Sequence, residues 1–218
     1  MNATDERELK RLVLARALPH VAFDGWTPPL LARAVAAAGL GDLDRRRLFP
    51  RGVADLVDFH LYEADRRMLT ALAVHDLERL KVRERIALAV RLRLRALASR
   101  EVARRTLAYQ ALPGRGARAL RALYRTVDAI WRAAGDRATD FNFYTKRALL
   151  AGVYSSTLLY WLNDRSDDAA ETWAFLDRRI ADVMRIEKLK GRAGRLGRCL
   201  PSPWEALGRL RYGRRRAA

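Results

Sequence analysis

Few side chains in this 218-residue chain have the type and spacing that chemistry requires. The three histidines, His20, His60 and His75, are dispersed and share no metal-ligand spacing. A di-iron carboxylate bundle needs a Glu-x-x-His motif; here His60 and Glu63 stand in the reverse order, and His60 reads as a core or boundary residue. Cys199 is the only cysteine, so an internal disulfide and a thiolate metal site are both excluded. A reducing, cytoplasmic-type compartment fits that count. Ser155-Ser156 has no acid–base partner suggested by pattern, and Gly114 and Gly116 fall between predicted helices rather than in a phosphate-binding loop. Glu63, Asp65 and Asp76 read as surface charges. The expectation is a chain with no catalytic residue, no metal ligand and no turnover of its own.

Composition then bounds the partner. Half of the residues are hydrophobic, enough to bury a real core. The formal net charge is +18, which points to an anionic partner, either nucleic acid or acidic lipid. Almost all of the positive charge is arginine, and it is unevenly placed: from Arg185 onward eleven basic residues face two acidic ones. The N-terminal Met1-Asn2-Ala3-Thr4-Asp5-Glu6 is acidic and reads neither as a signal peptide nor as a transit peptide. No apolar run approaches about 18 uncharged residues, so membrane contact is expected to be peripheral.

The elements that must position any site are helices. The spacing predicts a first helix over 5–18, capped by Thr4, buried along Leu9, Leu12, Val13, Arg16 and Ala17, and stopped by Pro19. Thr27 before Pro28 is an N-cap with proline at the first helical position. That helix closes at Gly39, a left-handed cap. Further helices are predicted over 53–74, 82–97, 102–112, 117–134, 140–162 and 169–190, the last opened by a capping box of Asp168 and Glu171. Arg91-Leu92-Arg93-Leu94-Arg95 has a two-residue period, but it lies in an Ala/Leu/Arg stretch of high helix propensity and reads as helix. The fold class is therefore all-α. Its expected divisions are an N-terminal part over 1–80, a helical domain over 81–184 and a basic tail over 185–218.

The first of these parts resembles the tetracycline-repressor (TetR) class of helix-turn-helix domains. The matching features are Phe23-Asp24-Gly25-Trp26 after helix one, Ala37-Ala38-Gly39-Leu40 closing helix two, a short third helix, and Leu48-Phe49-Pro50 leading into a long fourth. Arg45, Arg46 and Arg47 stand where a recognition helix lies in that class.

A longer signature runs from Trp131 to Ile180. It contains Gly135-Asp136-Arg137-Ala138-Thr139-Asp140-Phe141-Asn142-Phe143-Tyr144-Thr145-Lys146-Arg147-Ala148 and, later, Trp173-Ala174-Phe175-Leu176-Asp177. On these residues the chain resembles the ubiquinone (coenzyme Q) biosynthesis accessory family of lipid-binding proteins, mitochondrial and bacterial. The resemblance extends from about Val21 to Met184. It implies a repressor-like fold that has given up DNA binding, so nucleic acid is not the expected partner.

The resemblance implies further that the helical domain encloses an apolar pocket for a phospholipid or an isoprenoid quinone intermediate, with no other cofactor. On the helix over 140–162, Leu149, Leu150, Val153, Tyr154, Leu158 and Trp161 are the expected pocket residues. Their pattern also fits an ordinary filled core. It implies a docking surface for a demethoxyubiquinone hydroxylase-type di-iron enzyme, carried by Ile130, Asp140, Phe143 and Tyr144, where Phe143 replaces the tryptophan of mitochondrial members. Phe143 and Tyr144 are neighbours and cannot both enter one core from one helix face.

In the tail, Ile186, Leu189, Leu196 and Leu200 fall on one helical stripe beside basic residues, an interfacial pattern. Gly191, Gly194 and Gly197 weaken it, by about 1 kcal/mol each relative to alanine, so the segment is expected to order on an anionic membrane. Ser202-Pro203-Trp204-Glu205 opens a short second helix that presents Trp204 and Leu207. The resulting expectation is a non-catalytic lipid-binding accessory protein and, by analogy, a homodimer. It would sit at the cytoplasmic face of a bacterial inner membrane, or on the matrix side in a mitochondrion. The alternative is a TetR-like DNA-binding regulator.

Overall fold

The computed structural model describes residues 3–135 and 141–199, with side chains over 5–135 and 145–185. Among the described residues all regular structure is helical. The α-helices are α1 (Ala3–Asp24), α2 (Pro28–Ala37), α3 (Asp42–Leu48), α4 (Val53–Leu72), α5 (Val82–Arg95), α6 (Arg100–Ala111), α7 (Gly116–Ala133), α8 (Phe141–Asn163) and α9 (Ala170–Cys199). Short 3-10 turns at Leu77–Arg79 and Asp167–Ala169 precede α5 and α9. The chain divides into two compact units, Met1–Asp177 and Arg178–Ala218. The second begins within α9, where Asp182 pairs with Arg179 at 2.8 Å and with Arg185 at 3.7 Å.

The punctuation read from the sequence holds at α2. Leu30 N donates to Thr27 Oγ1, Pro28 takes the first helical position, and Gly39 adopts φ 73° beyond the last turn. The five-residue Arg/Leu alternation is the end of α5.

Two expectations for α1 fail. The helix continues through Pro19 to Asp24. A mid-helix proline removes one backbone hydrogen bond and crowds the preceding turn, at a cost of about 3 kcal/mol. Here the apolar face continues on both sides of it: Val13, Leu14, Ala17 and Val21 are all buried, so tertiary packing carries the helix past the break. That face is also rotated from the predicted one, since Leu12 and Arg16 are exposed.

The start of α9 differs too. Asp168 is not its cap; it sits at φ 47° and reaches Arg95 at 3.0 Å. Capping falls to Asp164 and Ser166. Thr172 N donates to Asp164 Oδ2 at 2.9 Å, and Glu171 N to Ser166 Oγ at 3.1 Å. Burial works against the Asp164 charge. The donors from Ser166 and Thr172 outweigh it and hold the carboxyl well below the usual carboxylate range.

The core of the first unit lies where α4, α5, α7 and α8 meet, and arginines tie these helices together. Arg118 on α7 reaches Asp58 on α4 at 2.8 Å. Arg147 on α8 is buried and donates to Asp128 on α7 at 2.8 Å. Trp131 Nε1 on α7 donates to the Lys146 carbonyl at 3.1 Å. From α6, Arg100 and Arg104 donate to the carbonyls of Asp164 and Leu162 at 2.6 and 2.8 Å, serving C-terminal carbonyls that α8 leaves without helical partners. Gly135 takes φ 92° after α7, and a Cβ there would stand 3.2 Å from Arg85 Nη1, the atom that caps the Ala134 carbonyl at 3.1 Å.

Candidate functional site

Between α4, α5, α6, α7 and α8 lies a cavity of about 380 Å³. It is walled mostly by apolar side chains, among them Leu61, Leu97, Leu107, Leu120, Leu123 and Leu158. Its lining divides by exposure. Leu61, Arg93, Leu97, Thr106, Ala122, Thr126, Tyr154 and Leu158 are buried, whereas Ala111 and Leu120, at the end of α6 and the start of α7, face solvent. The cavity thus has a buried floor and an apolar rim beside the α6–α7 turn. Such a space suits a ligand that is mainly hydrocarbon.

The floor carries a polar cluster that sequence reading placed elsewhere. Asp65, expected at the surface, is buried, and so is Glu63. Asp65 accepts from Arg93 Nε at 2.7 Å and Thr126 Oγ1 at 2.7 Å through Oδ1, and from Arg125 Nε at 2.8 Å through Oδ2. Arg93 is 1% exposed. Its Nη2 donates to the Leu61 carbonyl at 3.3 Å. Glu63 pairs with Arg11 on α1 at 2.9 Å. The signal was present in the register: Leu61, Asp65, Met68 and Leu72 share one face of α4, and a carboxylate on that face must find a buried cation.

A second polar contact links the cavity to the N-terminal helices. Thr106 on α6 accepts from Trp26 Nε1 at 2.9 Å and donates to the Val102 carbonyl at 2.7 Å. The Trp26 ring lies 5.5 Å from His60. His60 is buried as expected. Burial, with Arg93 and Arg67 nearby, depresses its pKa to about 3.

Of the expected pocket residues, Tyr154 and Leu158 line the cavity, joined by Ser155. Leu150, Val153 and Trp161 are buried, and Leu149 is half-buried, but none of these four lines it. Leu150 and Trp161 lie about one turn beyond the lining stretch of α8, and the Trp161 ring stacks under the Arg100 guanidinium at 5.6 Å. The larger share of the wall belongs to α6 and α7, which sequence reading did not assign. Its one trace in the sequence is the run of small residues Ala103, Ala111, Ala119 and Ala122 on facing helices, which leaves space between them.

Among the docking residues, Ile130 must be corrected: it is fully buried on the inner face of α7 and has no surface to offer a partner. Phe143 and Tyr144 lie in the first turn of α8, and their side chains are outside the described ones. Asp140 lies outside the described residues. Ile186, Leu189 and Leu196 fall on the helical backbone of α9, which runs on through Gly191, Gly194 and Gly197 to Cys199, again without described side chains. Leu200, Trp204 and Leu207 lie outside the described residues.

On α3 the arginines pair with acidic residues of the same helix, and the charge of Arg47 also reaches Glu6 on α1. Arg45 and Arg46 reach Asp42 at 2.6 and 2.8 Å, and Arg47 reaches Asp44 at 3.3 Å. Among the described residues no group of His, Cys, Asp and Glu could hold a metal ion, and no helix is long and apolar enough to cross a membrane.

Comparison with known proteins bears out the family resemblance read from the sequence: the chain carries a COQ9 family domain and is similar to COQ9 proteins of ubiquinone biosynthesis. Residues 116–187, which span α7, α8 and part of α9, match the COQ9 family model. The chain is 32% identical over 189 residues to the human "Ubiquinone biosynthesis protein COQ9, mitochondrial", covering 83% of this chain and 59% of that protein. It is 34% identical over 194 residues to the Xenopus laevis COQ9-B protein, covering 82% and 64%. The chain thus spans about three fifths of the length of the curated relatives it matches. The fold is TetR-like: the crystal structure of a TetR transcriptional regulator from Nitrosomonas europaea superposes with a TM-score of 0.65 at 26% identity, over 80% of this chain and 97% of that one.

Proposed function

We propose that this chain is a non-catalytic, lipid-binding accessory protein of ubiquinone biosynthesis. It takes a quinone intermediate or a phospholipid into the cavity between α4 and α8 and presents it to a di-iron hydroxylase at a membrane surface. The observation that carries this reading is the coincidence of two features: the apolar cavity is walled on two sides by α7 and α8, and these helices lie within the COQ9-matched segment. An apolar cavity lowers the cost of withdrawing a very hydrophobic substrate from a bilayer.

The relatives are named as mitochondrial ubiquinone biosynthesis proteins. By extension this chain works peripherally, on the matrix side of a mitochondrial membrane or the cytoplasmic face of a bacterial one. The basic, amphipathic segment from Ile186 to Leu207 provides the contact, and each arginine near an anionic surface adds about 1 kcal/mol. The hydroxylase docks on the first turn of α8, through Phe143 and Tyr144 with Asp140 before it. The Tyr144→Ala variant is expected to bind the hydroxylase more weakly in a pull-down titration while remaining folded. The chain acts as a homodimer, as repressor-like folds commonly do.

The DNA-binding reading rests on the Nitrosomonas neighbour, a transcriptional regulator by name. The composition of α3 weighs against it. Asp42 and Asp44 occupy the first turn, the part of a recognition helix that approaches the bases. They repel phosphate and already hold Arg45, Arg46 and Arg47.

Organic extraction and mass spectrometry of the protein after a high-salt wash test the proposal. Stoichiometric quinone, isoprenoid or phospholipid is the expected result. A lipid-free protein that shifts duplex DNA, with a steep loss on adding salt, would replace this reading with the regulator.

A further inference from the structure

The turn between α6 and α7 is built unlike a solvated one. Ala111, Leu112, Pro113, Gly114, Gly116 and Ala117 are exposed, and Arg115 is the only polar side chain among residues 111–117. A turn that faces water ordinarily draws on Asp, Asn and Ser. The apolar surface continues along α7, where Ala117, Leu120 and Tyr124 share one exposed stripe at helical spacing. Leu112 is 49% exposed and Leu120 66%. Leu120 also lines the cavity, so this surface is the outside of the cavity's mouth.

The charge around the mouth has one sign. Residues 102–127 contain six arginines and no acidic residue. Four of the six are tied to carboxylates outside this stretch: Arg104 and Arg105 to Glu101, Arg118 to Asp58 and Arg125 to Asp65. Arg115 and Arg121 have no carboxylate partner among the described residues. Arg115 lies 3.6 Å over the Tyr109 ring and donates to the Tyr109 carbonyl, and Arg121, exposed, donates to the carbonyl of Ala117 in its own helix. A second copy of the chain fits this face poorly, because two-fold pairing would gather both copies' arginines on one patch with no carboxylate to offset them. The complementary surface is apolar within and anionic at its edge. Arginine lays its stem along apolar surface while its head stays in the wet layer, and tyrosine suits the same boundary.

We infer that the α6–α7 turn and the exposed stripe of α7 dock on an anionic lipid bilayer, with Leu112, Leu120 and Tyr124 in the interfacial layer and Arg115 and Arg121 at its phosphates. The cavity then opens against the membrane. This contact belongs to the helical unit that holds the cavity and is separate from the basic tail. Its purpose rests on the lipid-pocket reading above: a mouth pressed to the bilayer lets an apolar ligand enter without crossing water. By the same mouth the ligand reaches the hydroxylase, which works at the same surface.

The test reads position as well as binding. The full chain carries an environment-sensitive fluorophore on a single cysteine. That cysteine is either the native Cys199, which reports on the tail, or one introduced by Leu112→Cys or Val74→Cys in a Cys199→Ser background. Val74 is also apolar and 83% exposed. Asp58 and Asp65 of α4 meet Arg118 and Arg125 of α7 in that order, so the two helices run in parallel and Val74, beyond the end of α4, stands away from the turn. Vesicles of phosphatidylcholine and phosphatidylglycerol are added, with or without bromine on the acyl chains. The Leu112→Cys label is expected to shift to the blue and to be quenched by bromine, while the Val74→Cys label does neither. Vesicles of phosphatidylcholine alone leave the Leu112→Cys label nearly unshifted. Adding Arg121→Gln raises the lipid concentration for half of the shift by about fivefold, and Arg115→Gln with Arg121→Gln by about 25-fold. Should the double variant fail to fold by circular dichroism, Arg121→Gln decides alone. A shift at Cys199 with none from Leu112→Cys would overturn the docking face, as would equal shifts from Leu112→Cys and Val74→Cys. A Leu112→Cys shift that grows with protein concentration in the absence of vesicles would overturn it in favour of a second copy. Extraction judges the pocket separately: a chain that docks through Leu112 yet carries no lipid would overturn the pocket reading and leave this face standing.

Discussion

Arginine serves two opposite purposes in this chain. On α3, Arg45, Arg46 and Arg47 reach one turn back to Asp42 and Asp44 and stay at the surface. At the centre, Arg93 on α5 and Arg125 on α7 converge on Asp65 of α4, across two helix boundaries and largely out of water. The Arg45 and Arg46 pairs are ones that salt screens and that lie within a single helix. The central cluster sets the spacing of three helices around a cavity. A net charge of +18 therefore says little by itself. What matters is whether the counter-charge comes from the same helix or from another one.

The contrast is broken most directly at Asp65. Asp65→Asn leaves Arg93 buried without its counter-ion and is expected to lower unfolding stability by about 3–5 kcal/mol in chemical denaturation. A loss under about 1 kcal/mol would make the central cluster no different from the α3 pairs. The double variant Asp65→Leu/Arg93→Met sharpens the point. Replacing the pair by apolar groups of similar volume is expected to recover most of that loss, because the cost lies in an unpaired charge rather than in a missing attraction.

The next effect is pH dependence. His60 stays neutral in the fold, with its pKa depressed from 6.5 to about 3 by burial and by Arg93 and Arg67. Below pH 6.5 the unfolded chain takes up a proton that the folded chain refuses. Its contribution is thus fully present above 6.5 and is lost as pH falls towards about 3, at about 1.4 kcal/mol per unit. Denaturation midpoints measured between pH 7 and about 4.5 should show this slope reduced in His60→Gln. An identical slope in the variant would assign the acid sensitivity to other groups.

The smallest effect belongs to α3. Asp42→Ala removes the partner of Arg45 and Arg46, and no resolvable change in the denaturation midpoint is expected. A large drop would mean that α3 is held by these pairs. It is held instead by Leu48 and the adjoining Phe49, which are completely buried.

The repetition of apolar positions and the punctuation by Thr27, Gly39 and Gly135 made nearly every helix of the fold legible, because caps and periodicity act within a few residues. Two breaks were misread, one because tertiary packing overrode a local signal and the other because a neighbouring cap displaced the expected one. Pro19 did not end α1, because packing continues past it. Asp168 did not cap α9, because Asp164 and Ser166 reached its free N–H groups first.

The site was legible only in outline. The motif from Gly135 to Ala148 carried the family resemblance, and the resemblance implied a pocket. Tyr154 and Leu158, expected there because the 140–162 helix is apolar on more than one face, do line the cavity. Arg93, Asp65 and Thr126 were not expected there, since charged and polar residues are usually solvated and nothing within one helix shows that they meet. Ile130 was placed at a surface because one-dimensional similarity does not report which face of α7 turns inward.

The sequence by itself determined that the chain is helical, where most of its helices begin and end, and which family it resembles. All of these depend on interactions between near neighbours or on a contiguous motif. Only the tertiary structure decided that a cavity exists, that α6 and α7 form much of its wall, and that a buried guanidinium from α5 meets Asp65 of α4 at its floor. Those facts depend on how five helices pack, and burial is a property of the assembled volume rather than of any segment.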